Sequence, residues 1–144
     1  MFNPTRDQVR DFFFDTWRKH REGRPLVGLE SVAVDLLLLH PEYHKVLEDR
    51  ERYAARDYLP ESGETNPFLH LSLHLALEEQ LSIGQPPGIR EAFDGLLARA
   101  GDRHDALHQA LDCLGEMVWR SQKDKAPPDA GLYLDCLRRK AGRA

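Results

Sequence analysis

Hydrophobic positions along this chain recur at helical spacing, and proline, glycine and short polar residues punctuate them at regular points. In the first segment Val9, Phe12, Phe13, Thr16 and Trp17 form an apolar stripe, with Asn3 and Pro4 as cap and first-turn proline, and Gly23 closes the helix beyond Arg21. Pro25 opens LVGLESVAVDLLLL, whose apolar residues keep helical spacing until Pro41 disfavours helical geometry at His40. His40 is therefore a junction, and Pro41 starts a shorter helix through His44 to about Arg52. The polar stretch RDYLPESGET reads as a loop. Asn66 and Pro67 repeat the cap pattern and launch a helix to about Ser82, which GQPPG stops. GIREAFDGLLARA predicts the next helix, ending at Gly101. Asp102 caps a long one from Arg103 to about Lys123, and PPDAGLYLDCLRRKA supplies the last. No strand alternation and no repeat of solenoid length appears. The pattern predicts an all-α fold, a single-domain helical bundle of about five to seven helices over residues 1–144.

Composition narrows the class of function. With 41% apolar and 31% charged residues in 144, the chain is an ordinary globular protein able to bury one core. A net charge of −4 gives no electrostatic footprint for nucleic acid or an anionic membrane, so the expected partner is a small molecule or a protein, with a homodimer also compatible. The start, MFNPTRDQVRDFFFDTW, is charged from Arg6 onward and lacks the pattern of a secretory signal. The longest apolar run, Val32 to Leu39, is interrupted by Asp35 and is too short to span a bilayer. Cys113 and Cys136 form no CxxC pair and read as packing thiols rather than a disulfide, which with the missing signal predicts a cytoplasmic protein. Trp17, Trp119 and the Phe12 to Phe14 run read as core. No GxxxxGK, GxGxxG or GxSxG motif is present.

The candidate chemistry lies in histidine. Six of the seven fall into three HxxxH pairs: His40 with His44, His70 with His74, and His104 with His108. Residues four apart on a helix are surface neighbours, about 6 Å between side-chain origins, so two imidazoles can converge on one ion. The middle pair sits in NPFLHLSLHLALEEQ, where Glu78 extends the two histidines into a His, His, carboxylate stripe on a helix that is apolar nearly all round. Imidazoles buried there need partners, and a metal with an outer acceptor is one complete solution. His104 and His108 edge the apolar arc of the long helix, with Asp112 near that edge and Glu116 roughly opposite Leu107. Pro41 separates His40 from the helix of His44, and Glu30 is the upstream carboxylate closest in pattern to that pair.

Taken together, FNPTRDQVRDFF, LHPEYH, GETNPFLHLSLHLALEEQ with QPPGIR, and HDALHQALDCLGEMVW resemble the bacterial domain-of-unknown-function family 1841 over nearly the whole length. The resemblance implies a small, single-domain, cytosolic bacterial protein. In its pattern HPEYH corresponds to His40 through His44, the histidine pair to His70 and His74, and the CLGEMxW element to Cys113 through Trp119, which keeps Glu116 among the candidates. The layout is also similar to hemerythrin-type and DinB-type bundles, where histidines on several helices meet around metal, a likeness of architecture with no matching sequence.

The residues therefore predict a metal-binding helical bundle. His44, His70, His74 and His108 are the preferred ligands, His40 and His104 come next, and Glu78, Glu30, Asp112 or Glu116 supply oxygen. Such a set suits a divalent transition metal, whether zinc, iron, manganese or nickel, rather than calcium or magnesium. An open coordination position would make a metal-dependent hydrolase or oxidoreductase. The competing expectation is a metal-free interaction module whose buried histidines specify packing.

Overall fold

Thr5 begins the first helix with a reciprocal cap: its hydroxyl accepts from the Gln8 N–H at 3.1 Å, and Gln8 Oε1 accepts from the Thr5 N–H at 2.9 Å. The computed structural model describes residues 5–58 and 66–142, so the predicted Asn3 and Pro4 cap, and most of the predicted loop after Tyr58, lie outside the described residues. From that cap follow α1 (Arg6–Arg21), α2 (Leu29–Leu38), a 3-10 turn (Pro41–Tyr43), α3 (His44–Leu47), α4 (Arg50–Tyr53), α5 (Pro67–Ile83), α6 (Ile89–Ala100), α7 (Arg103–Asp124) and α8 (Ala130–Lys140). Among the described residues this makes eight α-helices and no strand, one helix more than the upper expectation. The surplus arises where one short helix was expected after Pro41. Asp49 leaves helical geometry at φ −130°, ψ 72°, and its carboxylate accepts from the Arg52 N–H, so the segment restarts as α4. No helix among the described residues is long and apolar enough to cross a membrane.

The residues group into two compact units, Met1–Leu75 and Ala76–Ala144. In the first, α1 packs on α2 and α3 around Phe13, Phe14, Trp17, Leu36, Leu37, Leu47, Phe68 and Leu71, all buried. Each such side chain contributes about 1.5–3 kcal/mol on burial. Arg10 is also buried there, and its Nη1 donates to the carbonyls of Tyr53, Ala54 and Arg56 at 3.3, 3.1 and 2.7 Å. Its guanidinium lies over the Phe68 ring at 4.7 Å. Desolvation lowers the Arg10 pKa, with Arg6 as a further cause, and the three carbonyls compensate the buried charge.

In the second unit α6, α7 and α8 pack on one another around Ile89, Phe93, Leu96, Leu107, Leu114 and Leu137. Asp102 and Asp129 cap α7 and α8, accepting from Asp105 N and Leu132 N at 3.0 and 3.1 Å. Tyr133 donates its buried hydroxyl to Gln80 Oε1 at 2.7 Å, and desolvation pushes that phenol well above its ordinary pKa. Cys113 on α7 and Cys136 on α8 are joined as a disulfide across 23 residues, which corrects the expectation of two separate packing thiols. The physical reason is the short connection after α7: it folds α8 back so that the two Cα atoms lie 5.8 Å apart, within bridging range.

Candidate metal centre

Pro41 decides how His40 is presented. The residue before a proline is kept out of helical geometry, and His40 stands at φ −125°, ψ 65° between α2 and the 3-10 turn, 3% exposed. Its Nδ1 lies 2.7 Å from the Leu36 carbonyl oxygen. A carbonyl can only accept, so Nδ1 carries the proton and the Nε2 lone pair is left as the ring's acceptor or ligand. This is how an outer backbone acceptor fixes the tautomer and orientation of a metal-ligating histidine.

His70 and His74 reach the same place from α5. Asn66 sets the start of that helix, its side chain accepting from Phe68 N and Leu69 N at 3.0 and 3.2 Å, and so fixes which face the two imidazoles occupy. The His40 ring centre lies 5.1 Å from that of His70 and 4.8 Å from that of His74, and the latter two are 4.8 Å apart. One ring nitrogen from each of the three falls within 4.8 Å of the others. Tetrahedral zinc with nitrogen at about 2.0–2.1 Å needs roughly 3.4 Å between ligand atoms, so the three nitrogens would draw closer to share one ion. His74 is fully buried. Tyr43 stacks on His40 with ring centres 5.6 Å apart and planes 9° from parallel, shielding that face. Burial, with Glu42 as a second cause, raises the Tyr43 phenol above its usual pKa and keeps it neutral. The sequence reading gave Tyr43 no role; its position inside HPEYH, three residues after His40, was the available signal.

His44 does not join these three. Its Nε2–H donates to the Leu37 carbonyl at 2.7 Å, and its ring packs on Trp17 at 4.3 Å between centres. The 3-10 turn removes the helical i, i+4 relation that would have aligned it with His40. His104 and His108 stay together on α7 in the second unit, ring centres 4.2 Å apart and both half-buried.

The candidate carboxylates each meet a cation. Glu30 binds Lys19 at 2.6 Å and also accepts from Val27 N, and these two contacts, Lys19 first, hold its pKa below the usual value. Glu78 makes a two-pronged bond to Arg103 at 2.9 and 3.1 Å, which raises the Arg103 pKa. Asp112 faces Lys140 at 3.4 Å, and Glu116 pairs with Arg120 at 3.0 Å on an exposed face. The donors that converge are therefore imidazole nitrogens.

A family model described as Domain of unknown function (DUF1841) matches residues 5–139 of the chain. No curated protein matches, and no solved structure does.

Proposed function

The chain belongs to the family described as Domain of unknown function (DUF1841), and from that premise we propose that it is a metal-binding helical protein whose ion is held by His40, His70 and His74. The observation that carries this reading is the meeting of three imidazoles, one of them already turned by the Leu36 carbonyl to offer Nε2. An all-imidazole set suits zinc, nickel or iron, and manganese, which favours oxygen, ranks below them. Zinc is the preferred ion, and three imidazoles leave one position of its tetrahedron open. When bound, such an ion supplies binding energy to the fold and, at an opened position, Lewis acidity.

The test is the metal content of tag-free protein after reconstitution with zinc, iron, manganese or nickel, in the wild type and in a His70→Ala, His74→Ala double variant. The expected result is about one ion per wild-type chain, with zinc retained best, and near none in the variant. Equal content in both proteins would sink the assignment, and so would a wild type that takes up no metal.

A further inference from the structure

A second candidate site lies wholly in the second unit and is independent of the histidines. A cavity of about 300 Å³ opens along α7 and α8, in the size range of small-molecule sites, and the Cys113–Cys136 disulfide forms part of its wall. The two bridged cysteines are unequally exposed. Cys113 is 1% exposed, whereas Cys136 is only half-buried, so a nucleophile entering the cavity meets Cys136 first.

The charges on the wall define what can enter. Glu116 is paired with Arg120, and Asp129 is occupied in capping α8. That leaves Arg139, one helical turn beyond Cys136 and with no carboxylate partner among the described residues, and Asp124. A cation beside the sulfur favours an approaching thiolate and binds a carboxylate, and an aspartate on the same wall suits an ammonium. We propose that this cavity is a thiol–disulfide exchange site that admits a small amino-acid-derived thiol and reacts at Cys136.

The chemistry balances without further reagents. The thiolate sulfur bonds to Cys136 as the Cys113–Cys136 bond breaks, and Cys113 leaves with the electron pair and takes a proton from solvent. A second thiolate attacks the outer sulfur of the mixed disulfide, releasing the small-molecule disulfide and the Cys136 thiolate, which is then protonated. Two small thiols are oxidised, and the protein disulfide is reduced by two electrons.

Glutathione and mercaptoethanol, compared at equal thiolate concentration on the folded full chain, test this directly, with acid quenching and peptide mass mapping of the adduct. Glutathione should react roughly three- to fivefold faster, the scale of one exposed ion pair, and the adduct should map to Cys136. Arg139→Gln should slow both thiols, glutathione more than mercaptoethanol, and so remove that preference, and Arg139→Lys should keep most of it. Equal rates for the two thiols on the wild type would overturn the proposal, as would an adduct on Cys113. The wild-type comparison decides the matter even if a variant fails to fold by its helical circular dichroism.

Discussion

His40 and His44 share one HxxxH motif yet serve different ends, because Pro41 turns the chain between them. His44→Ala should therefore keep the metal and lose only the Leu37 bond and the Trp17 contact, about 1–2 kcal/mol by urea unfolding, whereas His40→Ala should lose the metal. Loss of metal from His44→Ala would place the ligand set elsewhere. The spacing rule offered all six paired histidines and preferred His44, His70, His74 and His108, with His40 next; it rests on helix geometry, which holds for His70 and His74 but not for a pair split by a proline. The fate of the carboxylates was not legible. A helical wheel aligns Glu78 with His70 and His74, but the Arg103 that takes it lies 25 residues away. Glu30 gives a pH signature at this scale. Its folded pKa is lowered below 4.5 by Lys19 first, so its contribution to stability is present above the unfolded value and is lost as pH falls through the folded one. Stability measured by urea from neutral to acid pH should show less acid loss in Lys19→Met than in the wild type. Arg10 is the most consequential single residue of the first core: Arg10→Met should cost about 2–4 kcal/mol, because three carbonyls lose a charged donor. A loss under about 0.5 kcal/mol would show that water replaces it.

At the level of elements, local chemistry set most boundaries. Asp102 capping α7, Gly101 closing α6 and Pro67 opening α5 were all readable, because each depends on residues within one turn. The segment after Pro41 was misjudged as one helix because Asp49 acts as a cap inside a run that otherwise permits helix. The first helix shows a second limit: the reciprocal pair of bonds with Gln8 marks Thr5 as its cap, a residue the sequence pattern had not singled out. Lys125 closes α7 in left-handed geometry at φ 51°, a conformation that favours glycine. Lys125→Gly should stabilise the protein by about 0.5–1 kcal/mol in urea unfolding. A destabilised variant would mean that the lysine side chain contributes more than its backbone costs.

At the scale of the whole molecule, the all-helical class followed directly from periodicity, while the pairing of Cys113 with Cys136 did not. Spacing along one chain says nothing about two helices that meet only after a turn, and a 23-residue separation carries no motif. The bridge closes a loop whose cross-linking is worth about 3 kcal/mol in the unfolded chain, so reduction should lower stability by an amount of that order, read from urea curves with and without a strong reductant. The central claim concerns nitrogen ligands on a metal. X-ray absorption on zinc-loaded, tag-free protein tests it most directly: the account predicts an imidazole shell at about 2.0–2.1 Å with no sulfur, collapsing in the His70→Ala, His74→Ala variant. A shell of oxygen or sulfur, or an imidazole shell unchanged in that variant, would contradict it.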